Sequence, residues 1–283
     1  MGEFQKNKEQ ELIERIQRFR PIDDTFFQVL ADDVGVCQEM LRVILQDEKL
    51  IVNSVKVQPE EHNLVGRSVR LDTLCVLGDG TLCNIEIQRA DNDDHLRRMR
   101  YHASCITASE TEPRTDFKQV PNVIVVYISE FDFLQGGRTI YHIDSVIRED
   151  NRIVDNGLQM ICVNTKHDDG SDIAALMKCF LQSEVSDTRF PQMSQRMSYL
   201  KQSEGGRKMA CKIVEEYAKE YAEEYAKEYA EEYAKEYAEE RLDEYSKEKI
   251  CNGIREGIEP LALVRIFNVP IDLIMSLKEN LQS

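Results

Sequence analysis

Residues 68–88 read SVRLDTLCVLGDGTLCNIEIQ, two stretches of alternating apolar and polar residues on either side of Gly78-Asp79-Gly80. Period-two alternation interrupted by a Gly-rich break predicts two antiparallel strands, Ser68–Leu77 and Thr81–Gln88, joined by a tight turn. An isolated hairpin is marginal in water, so the apolar face of this one requires cover from the rest of the chain. Further along, NVIVVYIS at 122–129 is an unbroken apolar run suited to a strand covered on both faces, and MICVNT at 160–165 is a further strand. Helical apolar spacing runs from Asp24 to Leu45 before the hairpin, and a polar helix from about Asp91 to Ala108 follows it. Helix, hairpin, helix and buried strand in that order predict an α/β core with a mixed sheet.

The 283 residues carry a formal charge of −16. No apolar run reaches the roughly 18–20 residues a membrane span needs, and the first residues are charged throughout, so neither membrane insertion nor secretion is expected. The eight cysteines are scattered with no C-x-x-C pair, the pattern of reduced, mostly buried thiols in a cytoplasmic protein. A uniformly acidic chain would be a poor ligand for nucleic acid. The acid is not uniform, however: residues 215–250 hold 14 acids and 6 bases. Arg89, Arg97, Arg98 and Arg100, with Arg67 and Arg70 nearby, leave room for a local basic surface whose DNA binding would depend strongly on salt.

From Tyr217 to Glu240 the octad YAKEYAEE occurs three times, a low-complexity run of strong helix formers without Gly or Pro. Tyrosine recurs every fourth position, about 400° on a helix, so the stripe drifts by about 40° at each step and forms no heptad seam. A solvated spacer and a self-association or partner-binding arm, including a homodimer through this helix, both fit. Beyond it, residues 250–281 read as two short helices broken at Gly257, with Pro260 and Pro270 at first-turn positions.

The chemistry-bearing candidates lie in the hairpin. With a three-residue loop centred on Asp79, residue 77 faces 81 and Asp72 faces Glu86, their Cβ atoms about 4.5–5.5 Å apart. Carboxylates so placed repel unless a cation lies between them, and hard oxygen donors suit hydrated Mg²⁺, with Mn²⁺ as an alternative; ordinary acids on a solvated strand face, or a two-residue slip of the pairing that separates them, are the other readings of the same residues. Gln88, two residues beyond Glu86, points to the same side. It can orient a water or a phosphate oxygen, but it brings neither a base nor a positive charge.

The stretch VRLDTLCVLGDGTLCNIEIQ resembles the central motif of the PD-(D/E)XK nuclease family transposases, relatives of the recombination-promoting nucleases, with an Asp on one strand and E-x-Q on the next in place of E-x-K. DDTFFQVLADDVGVCQEMLRVIL resembles the opening helix of that family, with Asp24 at its D-x-x-F position. RRMRYHAS resembles its R-x-R-Y-Y-x-S stretch with His102 in place of the second tyrosine, and VVYISEFDFLQGGRTIYHIDSVIRED and ICVNTK resemble its later strands. The resemblance spans roughly residues 20–205. It implies a restriction-endonuclease-like αβββαβ core, a DNA substrate, Asp72 and Glu86 as ligands of a divalent metal, and Gln88 in the position of the lysine. Loss of that lysine's charge leaves open a non-cleaving scaffold beside an active endonuclease.

Asp24 has two readings, an additional acid near the metal or part of a helix start at which Asp23 or Asp24 serves as the N-cap. On the helix after the hairpin, Arg97 and Arg100 at i and i+3, with Tyr101 adjacent to Arg97, form a face able to grip backbone phosphate, against the alternative of a solvated face with Arg97 paired to Asp93 or Asp94. His95 and His102 lack a third ligand at metal spacing and are expected to serve in packing or at the surface. No P-loop, dinucleotide-binding or serine hydrolase motif is present. The expected organisation is a helical extension at 1–19, a nuclease-like domain at 20–205, the repeat helix at 206–249 and a helical hairpin at 250–283.

Overall fold

The computed structural model describes residues 11–61, 69–91, 94–215, 219, 248–267, 269 and 271–282. The helix expected over the YAKEYAEE repeat lies outside these residues apart from Lys219. The chain divides into two compact units, Met1–Tyr217 and Ala218–Ser283.

The first unit is built on a six-stranded mixed sheet. Its strands are β1 (Val52–Val57), β4 (Thr73–Leu77), β5 (Leu82–Gln88), β6 (Val123–Ser129), β7 (Ile140–Ile143) and β10 (Leu158–Asn164), in the order β1-β4-β5-β6-β10-β7. Two small pairs stand apart from it, β2 (Glu60–Glu61) with β3 (Val69–Arg70), and β8 (Ser145–Ile147) with β9 (Arg152–Val154). The hairpin β4–β5 is antiparallel with Thr73 opposite Ile85 and Cys75 opposite Cys83, the register expected from the turn. Gly80 at φ 88° makes that turn, and Leu77 N–H donates to Thr81 O at 2.8 Å across it. β6 runs parallel to both β5 and β10, so it is flanked on each side and accommodates the apolar run 123–129.

Both faces of the sheet are covered. On one, α1 (Asp24–Ala31), α2 (Val34–Ile44), α4 (Asp172–Phe180) and α5 (Pro191–Gln202) pack Phe26, Phe27, Met40, Leu176, Phe180 and Met197 over Ile85, Ile87, Val126 and Ile161. On the other, α3 (His95–Ser109) lays Met99, Ala103 and Ile106 on Leu74, Leu82, Val125 and Tyr127. This is an α/β fold of the restriction-endonuclease type, with a helix, three strands, a helix and a strand as its central succession.

Two expectations are corrected in detail. The helix expected from Asp24 to Leu45 is broken at Asp32–Asp33, because the Asp33 carboxylate caps α2 by accepting from Gly35 N and Val36 N at 2.9 and 3.2 Å. The strand expected over Ser68–Leu77 is interrupted at Leu71–Asp72, where Leu71 N–H turns to Pro59 O and Asp72 O accepts from Gln58 N.

In the second unit, α6 (Pro260–Phe267) and α7 (Ile271–Gln282) form the expected short hairpin, following a helix over 248–255 that ends before Gly257 at φ 78°. Ile250, Leu263 and Ile274 make its small core. Among the described residues, no helix of the chain is long and apolar enough to cross a membrane.

Candidate active site

At the ends of β4 and β5 the two acids hold one another through the backbone. Asp72 Oδ2 accepts from Ile87 N at 2.8 Å, and Glu86 Oε1 accepts from Asp72 N at 3.3 Å. The two elements differ in cover. Glu86, in the middle of the sheet beneath α3, is 1% exposed, while Asp72 at the strand break is half-buried. Desolvation, followed by the charge of Glu86, pushes the Asp72 carboxyl well above its ordinary range; Asp24 adds to the rise, and the Ile87 bond and Arg98 oppose it. The site therefore carries negative charge that its protein surroundings do not balance.

More donors meet at Glu86. Asn84, fully buried two residues earlier on the same face of β5, donates its amide to Oε1 at 2.8 Å. His102 from α3 brings Nδ1 to 3.1 Å from that same oxygen, without the alignment of a hydrogen bond. Among the described residues no hydrogen bond reaches Oδ1 of Asp72 or Oε2 of Glu86, which leaves one oxygen of each acid for a further ligand.

Asp24 lies at the first position of α1. The cap residue is Asp23, whose carboxylate makes no capping bond to the helix and instead accepts from Arg20 N at 2.7 Å. Asp23, one of the two residues expected at the cap, thus takes the N-cap position, but its carboxylate makes no capping bond and turns away to guanidinium partners. Asp23 and Glu130 are bridged by Arg20 and Arg89 at 2.9–3.2 Å, a closed ring of four charges. Because Arg89 follows Gln88 directly, this ring ties the entry of α1 to the end of β5. Desolvation raises the Asp24 carboxyl, with Arg89 and Arg98 pulling it down and Asp23 pushing it up.

Gln88 is half-buried at the end of β5, with Nε2 donating to Ala90 O at 2.7 Å. Arg97 and Arg100 are exposed on α3, and Tyr101 packs partly into the core beneath that helix. Arg97 Nε pairs with Asp94 Oδ2 at 3.2 Å. The arginine whose charge acts on both Asp24 and Asp72 is Arg98, which lies between Arg97 and Arg100 in sequence. His95 is buried in an aromatic cluster with Phe131 and Phe133, its ring bonded to Tyr127 Oη and Asp91 at 2.9 and 3.0 Å, a packing role as expected.

Sequence reasoning missed Asn84, His102 and Arg98 as parts of this site. Asn84 carried a usable signal, since 84, 86 and 88 are polar at period two on one side of a strand. The contact of His102 depends on how α3 seats on the sheet, which no local pattern encodes.

Two carboxylates with one uncommitted oxygen each fit a cation that keeps much of its water, the habit of Mg²⁺. Among the described residues no group of three acidic, histidine or cysteine side chains is arranged as a metal cage.

The hairpin-borne acid pair on a restriction-endonuclease-like sheet defines the class as nuclease-fold. A family model described as PD-(D/E)XK nuclease family transposase matches residues 31–173, and the chain belongs to that family. The match includes Asp72, Glu86 and Gln88 and begins after Asp24. No curated protein and no solved structure matches the chain. Family membership assigns a nuclease- or transposase-related function with DNA as substrate and a divalent metal as the usual cofactor.

Proposed function

We propose that the protein is a Mg²⁺-dependent DNA endonuclease of the recombination-promoting, transposase-associated type. The observation that carries this reading is the reciprocally bonded pair Asp72 and Glu86, with the Asp72 carboxyl raised by burial and by its neighbour. Asp72 and Glu86 would hold the ion through Oδ1 and Oε2, the oxygens that no hydrogen bond reaches among the described residues. Mg²⁺ supplies stabilisation of the charge that develops on the phosphate and acidifies water. Mn²⁺ meets the same donor requirement.

The chain's own groups then act around that centre. Ile87 N–H fixes the orientation of Asp72 from the sheet. Gln88, its amide nitrogen held by Ala90 O, keeps an acceptor oxygen that can orient the attacking water, while Asp24 adds a third negative group close enough to act on Asp72. Arg98 is a cation whose charge acts on both Asp24 and Asp72, and Arg97, Arg100 and Tyr101 on the same helix would contact the DNA backbone. Hydrolysis leaves a 5′-phosphate and a 3′-hydroxyl. Double-strand cutting takes two such sites, which a homodimer through the repeat helix would bring together.

The test is supercoiled plasmid incubated at low salt with wild type and Asp72→Ala, in Mg²⁺, Mn²⁺ or chelator. Metal-dependent nicked or linear product, lost in the variant, is the expected result. A folded wild type that cuts nothing across a range of protein and salt overturns it and leaves a nuclease-fold scaffold. Gln88 favours that second reading, because it brings no charge and its amide is committed to the backbone.

A further inference from the structure

Asn84 is out of place by ordinary packing. It is fully buried, it faces Leu74 across the hairpin, and its neighbour on the same side of β5 is the buried Leu82. An apolar side chain would complete that surface. Instead the amide gives one bond, to Glu86 Oε1, and leaves its own Oδ1 buried without a hydrogen-bond partner. His102 shows the same feature. Its ring is 5% exposed beneath α3, and Nδ1 stands 3.1 Å from Glu86 Oε1 with no aligned partner. Buried polar atoms without partners are rare and costly, and the two side chains that carry them here both reach Glu86 Oε1, Asn84 through its other amide atom Nδ2 and His102 through Nδ1.

We propose that Asn84 and His102 are positioning residues that grip Glu86 by Oε1, together with Asp72 N–H, and so reserve Oε2 for a divalent cation shared with Asp72. The inference rests on the assignment of Asp72 and Glu86 as ligands and adds what selects between the two oxygens of Glu86. A buried carboxylate on a two-torsion stem rotates freely unless one oxygen is held. Two donors, Asn84 Nδ2 and Asp72 N–H, hold it on one side with His102 Nδ1 close by at 3.1 Å, and the arrangement is asymmetric: among the described residues every polar contact of Glu86 falls on Oε1. Groups that orient a metal ligand in this way typically change metal affinity by about 10–100-fold when removed.

The experiment is calorimetric titration of Mn²⁺ into the full chain, with the melting temperature of the metal-free protein measured alongside. The variants are Asn84→Leu, His102→Phe, His102→Asn and Asp72→Ala. Leu and Phe remove each donor at similar volume, whereas Asn places an amide nitrogen where Nδ1 of His102 stands. We expect Asn84→Leu and His102→Phe to weaken Mn²⁺ by about 10–100-fold with metal-free melting near wild type, His102→Asn to restore most of the affinity, and Asp72→Ala to abolish binding. Wild-type affinity in Asn84→Leu and His102→Phe, with binding lost in Asp72→Ala, overturns the positioning role and leaves the ligand assignment intact. A loss of affinity matched by collapse of metal-free melting in both variants, unrelieved in His102→Asn, overturns it in favour of a structural role. A wild type that binds no Mn²⁺, or an Asp72→Ala that binds as well as wild type, removes the ligand assignment and the inference with it.

Discussion

Lys201 offers a quantitative test of how the segment leading to Asp24 is anchored. It lies on α5 at 4% exposure, and its ammonium donates to three backbone carbonyls, Gln17 O at 3.1 Å, Phe19 O at 2.6 Å and Ser183 O at 2.5 Å, while sitting 5.1 Å over the Phe26 ring. Two of those carbonyls and that ring belong to the stretch that enters and forms α1. Burial pushes the Lys201 amine down from 10.5 to about 8, against the opposing charges of Glu184 and Asp23. A folded value below the unfolded one means that the native state binds fewer protons between pH 8 and 10.5. Stability attributable to Lys201 therefore rises with pH through that window. At about 1.4 kcal/mol per tenfold change in acidity the rise amounts to at most about 3 kcal/mol, since the three carbonyls favour the charged form. Urea unfolding of wild type and Lys201→Met at pH 7, 8.5 and 10 isolates this contribution from the other groups that titrate there. The wild-type midpoint should gain on that of the variant as pH increases. A constant difference, or one that moves the other way, refutes the assignment of a strained ammonium at this position.

Asp72 carries the opposite sign. Its folded carboxyl is raised, so wild-type stability should fall as pH climbs from the ordinary 3.8 toward the native value, and Asp72→Asn should melt above wild type at pH 7 without metal while losing cleavage; a variant that melts lower refutes the account of strain. Tyr127→Phe removes the hydroxyl paired with His95 Nδ1 at 2.9 Å in a fully buried setting, and urea unfolding should register a loss of about 1–3 kcal/mol, with no change counting against the pairing. Gly206→Ala would set a Cβ 2.1 Å from Tyr199 O, a clash with backbone, and should lower the melting temperature by the equivalent of about 1–3 kcal/mol; an unchanged melt shows that the chain does not approach so closely there.

Legibility of the sequence follows the range of the interactions involved. The hairpin register was readable because the turn length and the alternation are local and each excludes a one-residue slip. β6 was readable because a continuous apolar run has few other uses. β1 was missed: as an edge strand, with only Val52 of its six residues buried, VNSVKV carries little pattern. The break at Asp32–Asp33 was hidden because apolar spacing continues through it, and only the cap geometry marks the division. Of the site, Asp72, Glu86 and Gln88 were visible by alternation and by resemblance. The share of Arg98, rather than Arg97 or Arg100, in the field at the acids was not, since it is set by the rotation of α3 about its axis against the sheet. The same rotation buries His102.

The feature that interrupts the sheet is also the feature that makes the site. Continued two residues beyond Thr73 and Ile85, the β4–β5 register sets Leu71 opposite Ile87, and the Ile87 N–H would donate to the Leu71 carbonyl as the ladder requires. The Asp72 carboxylate takes that donor instead. Leu71 then turns its own N–H to Pro59 O, and the chain leaves β5 to pair β3 with β2, Glu60 opposite Arg70. A strand that ran on through residue 72 would keep the side chain of Asp72 in the regular stack and spend no carboxylate oxygen on backbone. By substituting for a ladder carbonyl, Asp72 is fixed by one oxygen at the edge of the core with the other free, next to a Glu86 fixed in the same manner by Asn84 and Asp72 N–H. The strain in the Asp72 carboxyl is the consequence of that exchange, and a proton on the pair, or positive charge brought between the two acids, relieves it.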